Sequence, residues 1–75
     1  MGGTVRHVIE NATQRTRYYV ADGVAYDIET HKSRFRIVGV YWFTFPSGAG
    51  LPVMIEHNGW LYDYPPDQPP VFFLA

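Results

Sequence analysis

The chain is expected to be all-β: a small twisted antiparallel sheet or partly open barrel of five or six strands, with a Pro-rich C-terminal tail. Three observations carry this expectation. Asp22-Gly23 and Asn58-Gly59 are the dipeptides that best accept positive φ in two-residue hairpin turns. Apolar residues alternate with period two through most of Arg34 to Tyr64. Aromatic residues make up 17% of only 75 residues, enough to fill one core and leave rings to spare.

Taken in order, Val5, His7 and Ile9 alternate with Arg6, Val8 and Glu10, which predicts an edge strand over Thr4 to Glu10. Asn11 to Gln14 is turn-like. The Asp22-Gly23 turn sets Ala21 opposite Val24, Tyr19 opposite Tyr26 and Arg17 opposite Ile28, with Tyr19, Ala21, Val24, Tyr26 and Ile28 as the expected buried face. Val24 to Lys32 also has the alternative of a short helix.

From Arg34 to Phe45 the pattern reads as one long strand, with Gly39 as a bulge or point of close approach. Pro46 to Gly50 is the following hairpin loop, and Asn58-Gly59 pairs Glu56 with Leu61 and His57 with Trp60. On this register Phe35, Ile37, Tyr41, Phe43, Val53, Ile55, Trp60, Tyr62 and Tyr64 form one apolar layer, the expected core. The domain is then 1–64. Residues 65–75 form a tail, opening with Pro65-Pro66-Asp67-Gln68-Pro69-Pro70 and ending in Val71, Phe72, Phe73 and Leu74. Its apolar end either closes the core or docks on a partner.

Length and composition narrow the function. A domain this small buries about 60% of its unfolded surface and holds about 3 to 5 kcal/mol of net stability, which leaves little for strained active-site geometry. There is no cysteine, so neither a disulfide nor a thiolate nucleophile is available. Net charge is −1, the wrong balance for gripping nucleic acid mainly by its phosphates. Met1-Gly2-Gly3-Thr4 lacks a basic and apolar leader, and position 6 is Arg where a myristoylation signal wants Ser or Thr. A cytoplasmic protein, without a membrane segment, is expected.

No constellation for catalysis emerges. His7, His31 and His57 lie in three separate elements without zinc-ligand spacing, and Ser33 and Ser47 lack a nucleophile elbow. The Gly-rich run at 46–50 has no following Lys and joins two strands, so it is a loop and not a phosphate cradle. The chain is expected to be no enzyme and to need no cofactor, metal or small-molecule substrate.

Two features point to binding. Arg15, Arg17, Arg34 and Arg36 share period-two spacing on two strands, giving a basic and aromatic patch. Val40, Trp42, Met54 and Leu61 fall on the second face of the meander, where no predicted helix covers them; Trp42, Met54 and Leu61 are thus candidate partner contacts, as are Phe72 and Phe73 in the tail. A free strand edge adds unpaired backbone groups for an extended peptide.

In being short, cysteine-free, β-rich and aromatic-heavy, the chain resembles the small host-takeover proteins of lytic bacteriophages, in particular inhibitors of bacterial RNA polymerase. That resemblance implies a monomeric, non-catalytic regulator in the host bacterial cytoplasm, which binds RNA polymerase and interferes with sigma-factor engagement. Its near-neutral charge departs from the acidic members and argues against DNA mimicry. The alternatives are a single-stranded nucleic-acid-binding β-barrel, using the four arginines with Tyr18 and Trp42, and a structural or assembly subunit.

Overall fold

A computed structural model describes residues 5–46 and 50–75. Eight antiparallel strands follow one another around a closed barrel: β1 (Arg6–Glu10), β2 (Thr16–Ala21), β3 (Val24–Asp27), β4 (Ser33–Val38), β5 (Tyr41–Thr44), β6 (Met54–His57), β7 (Trp60–Asp63) and β8 (Phe72–Leu74). Val24 to Asp27 is strand and Ile28 to Thr30 turn, so the helical alternative does not form. Thr4 and most of the Pro46 to Gly50 loop lie outside the described residues.

The hairpin registers match the turn chemistry. Asn58 (φ 51°) and Gly59 (φ 83°) both take positive φ, and β6 and β7 pair Ile55 with Tyr62, Glu56 with Leu61 and His57 with Trp60. Asp22 (φ 53°) and Gly23 (φ 76°) do the same for Tyr19 with Tyr26 and Ala21 with Val24. Replacing Asn58-Gly59 by Ala-Val puts a β-branched residue at positive φ. In urea melts this should cost well over ~0.5 kcal/mol, the scatter of an ordinary surface change, and a smaller loss would contradict the turn's role.

Arg34 to Phe45 is two strands, not one. Gly39 (φ 62°) and Val40 make a two-residue turn with glycine first, as a II′ turn requires, and Val38 pairs with Tyr41 across it. A reversal there changes which residues share a face: Ile37 now faces with Trp42, and Phe35 with Thr44. Trp42 pairs with Met54, and Leu61 follows through Glu56, so these three enter the barrel. Tyr41, Phe43, Val53, Ile55, Trp60, Tyr62 and Tyr64, expected inside, lie on the outer surface.

The first hairpin is likewise inverted. Tyr18, Val20 and Ala25 face inward, and Tyr19, Ala21, Val24 and Tyr26 outward. Both of its faces are apolar, so hydrophobicity alone does not choose between them; the pairing of Val8 with Tyr18 and closure around the core do.

Val8, Ala25, Trp42, Met54 and Leu61 are buried, with Tyr18, Val20, Phe35, Ile37, Val71, Phe72 and Leu74 packed around them. Tyr18 stands edge-on to Phe35 (5.3 Å) and to Phe72 (5.8 Å), and Phe35 lies 6.0 Å from Trp42. β8 pairs with both β1 and β7, so the apolar end of the chain completes the barrel. Among the described residues, closure also leaves the sheet without the free edge expected as a docking strand. No described helix is long and apolar enough to cross a membrane.

Candidate functional site: the outer face of β4 to β7

The registers of β4 to β7 place eight side chains in two outward rows. Val38, Tyr41, Ile55 and Tyr62 make one row, each paired with the next. Arg36 and Phe43 are paired in the other, which continues through Val53 to Tyr64: Val53 N–H donates to the Trp42 carbonyl (2.8 Å), and Tyr64 N–H to the Val53 carbonyl (3.0 Å). Cross-strand neighbours on one face touch, which makes this a continuous surface. Val38 is 53% exposed, Tyr41 41%, Val53 38% and Tyr64 44%, and Leu51 at the rim is 73% exposed.

Within it the rings are held by one another. Tyr41 and Tyr64 meet at 6.1 Å and 80°. The Arg36 guanidinium sits 5.8 Å from the centre of the Phe43 ring, a cation–π contact that also fixes the only charge in the two rows. Beside the first row a groove of about 380 Å³ is lined by Val40, Ile55, Glu56, His57, Tyr62 and Pro66. Tyrosine on a strand offers wide contact area with few rotatable bonds and a hydroxyl at the tip, so little entropy is lost when a partner covers it.

The residues expected from sequence are dispersed. Trp42, Met54 and Leu61 form the core and cannot make an exposed patch. Phe72 points inward against Tyr18, whereas Phe73 lies outside against Trp60 at 5.8 Å. Two of the four arginines are engaged by carboxylates: Arg17 with Glu10 at 3.1 Å and Arg34 with Asp27 at 3.8 Å. Arg15, Arg17, Glu10, Asp27 and Glu29 border a groove at one end of the barrel that carries both signs, not a basic patch. Arg36 alone of the four joins the aromatic face. What the sequence reading missed is the role of Tyr41, Phe43, Tyr62 and Tyr64 as surface, and the available signal was Gly39 heading a two-residue turn.

At that end of the barrel two carboxyls lie below their usual range. Backbone N–H groups of Thr30 and Glu29 donate to Asp27 Oδ1 (3.0 and 2.8 Å), with Arg34 and Arg17 adding their charge. The Thr13 hydroxyl donates to Glu10 Oε1 at 2.8 Å, and Arg17 adds to it. A depressed folded-state pKa contributes stability above the ordinary carboxylate pKa of about 4, which is lost as pH falls through the folded value. Urea midpoints should therefore drop as the pH falls below about 4, and the drop should shrink in Asp27→Asn. An identical drop in that variant would clear Asp27 of the effect.

Of the histidines, His31 meets the Tyr19 hydroxyl at 3.1 Å, His57 lies beside Asn58, and His7 is on the outside of β1. Among the described residues no group of three or more His, Asp or Glu side chains is placed to hold a metal ion. No protein-family model matches this chain, and no curated protein or solved structure matches it.

Proposed function

We propose that the chain is a non-catalytic protein-binding regulator whose docking surface is the outer face of β4 to β7. The observation that carries this reading is a pair of tyrosine-rich outward rows whose one charge is Arg36 at the margin, on a barrel whose interior is already filled by Trp42, Leu61 and Val8. Apolar side chains left on the outside of so small a domain reduce its solubility for no gain in folding, and they fit the anatomy of an interface, where Tyr and Arg are enriched. Single-stranded nucleic acid is the weaker reading, because Glu10 and Asp27 engage two of the four arginines that would hold phosphates.

In the specific form implied by the likeness to phage transcription inhibitors, the partner is bacterial RNA polymerase. The purified protein should co-migrate with core or holo polymerase in native gels and lower promoter-dependent transcription. Tyr41→Ser combined with Tyr64→Ser should raise the dissociation rate, while Arg36→Glu should mainly slow association. No co-migration at tens of micromolar would remove polymerase as the partner. Binding to oligothymidylate that falls steeply between 50 and 200 mM salt would replace the protein reading by the nucleic-acid one.

A further inference from the structure

We propose that the partner reaches this protein through one short extended acidic segment laid along the outer side of β5, with an apolar side chain in the groove beside Val40 and a carboxylate on Arg36. The inference rests on reading the outer face of β4 to β7 as a docking surface, and it names the chemistry of what docks there.

A closed barrel curves across its strands much more than along them, so the outside of β4 to β7 is convex, and a partner finds a straight line of contact only parallel to a strand. Along β5 that line runs between two hollows. At its start is the groove of about 380 Å³, lined by Val40, Ile55, Tyr62 and Pro66 with Glu56 and His57. The last two already have polar partners: Glu56 accepts from Arg6 at 3.2 Å, and the His57 ring lies 3.2 Å from the Asn58 amide. What the groove offers a ligand is therefore apolar contact. At the far end a smaller pocket of about 250 Å³ has Arg36, Phe43, Phe45 and Pro46 in its lining.

Arg36 decides what the second hollow takes. Arg6, Arg17 and Arg34 pair with Glu56, Glu10 and Asp27 at 3.2, 3.1 and 3.8 Å, whereas among the described residues no carboxylate pairs with Arg36. Its guanidinium lies 5.8 Å from the centre of the Phe43 ring instead. That contact engages the charge but none of the N–H donors, which stay available to grip a carboxylate bidentately. No side chain in either outward row is acidic, so nothing on the face competes for it. A nucleic-acid strand brings a phosphate with every nucleotide, and this line has a single cation to meet them.

Spacing sets the order of the segment. Val40 and Phe43 are three residues apart, about 10 Å along a strand. Same-face side chains of an extended ligand recur every second residue, about 7 Å apart, and the reach of a glutamate and of Arg36 closes the difference. The segment thus carries an apolar residue two positions from a glutamate.

The capped heptapeptide Gly-Phe-Thr-Glu-Thr-Phe-Gly presents that spacing in both chain directions. Titrated at millimolar concentration into the isotope-labelled full chain, it should move the amide resonances of Val40, Phe43 and Ile55 and the Arg36 Nε–H. Its Gln counterpart should bind roughly three- to fivefold more weakly, the worth of an exposed ion pair. Arg36→Gln should bring the two peptides level, and Val40→Asp should abolish the binding of both; an unchanged near-UV signal from the core certifies each variant as folded. Absence of those shifts, or equal binding of the two peptides to the wild type, overturns the proposal. So does an oligothymidylate octamer that moves Arg36 and Phe43 where the peptide does not. The two readings fail separately. Co-migration with polymerase that survives Arg36→Gln combined with Val40→Asp removes the acidic segment, whereas peptide binding without co-migration keeps the segment and removes polymerase.

Discussion

Trp42→Ala is expected to unfold the protein. The indole is fully buried in one cluster with Leu61 and Val8, and Phe35 lies 6.0 Å away. Removing so large a core side chain costs ~3 to 5 kcal/mol, and a domain this small has about that much in total. Trp42→Phe should be far milder. Its ring fills most of the space, and it removes the indole Nε1–H, which is buried without a hydrogen-bond partner and so opposes folding. Far-UV and near-UV circular dichroism in native buffer check both. A folded Trp42→Ala protein would mean that Trp42 lies on the surface, as its place on the meander's second face first indicated.

Deleting 71–75 is the second large effect. Phe72 and Leu74 leave the core, at ~1.5 to 3 kcal/mol for each such side chain fully buried and somewhat less here, where they are half-buried. The backbone loses as much order. His7 and Ala75 each donate an N–H to the other's carbonyl (2.8 and 2.9 Å), Val71 N–H donates to the Leu61 carbonyl (2.8 Å) and Leu74 N–H to that of Gly59 (2.8 Å). Without β8 the facing edges of β1 and β7 are bare, which exposes strand edges that template aggregation. The truncated chain should lose its near-UV aromatic signal and its cooperative urea transition. Retention of both would show that the barrel stands open without its eighth strand.

Local chemistry was enough for the hairpins. Asn58-Gly59 and Asp22-Gly23 admit positive φ where few other pairs do, so each turn and the register extending from it follow from two residues. Period-two alternation and the two hairpin-turn dipeptides indicated the all-β class, and the alternation through 34–64 correctly grouped Tyr41, Ile55 and Tyr62 on one face. Which face is inside is a different kind of question. Gly39 in positive φ suits either a bulge in a long strand or the head of a tight turn, and the sequence around it is apolar on both sides. Choosing the turn exchanges inside for outside in every strand that follows, because side chains alternate with period two.

The candidate site was hidden by the same ambiguity. Nothing in Tyr41, Phe43, Tyr62 or Tyr64 marks them as surface, and nothing in Trp42, Met54 or Leu61 marks them as core, since both sets are apolar and share the same strands. The arginines were legible as charges, but their pairing with Glu10 and Asp27 depends on residues brought together at one end of the barrel. Turn chemistry and alternation thus set the Asp22-Gly23 and Asn58-Gly59 turns, the registers extending from them and the all-β class, all of them interactions between residues close along the chain. Long-range packing was needed for the Gly39-Val40 turn, the closure of β1 on β8, the filling of the interior by Trp42 and the consequent exposure of the tyrosine face. Closure pairs Val8 with Leu74, from opposite ends of the chain, and it alone fixes which side of each strand has an interior to bury itself in.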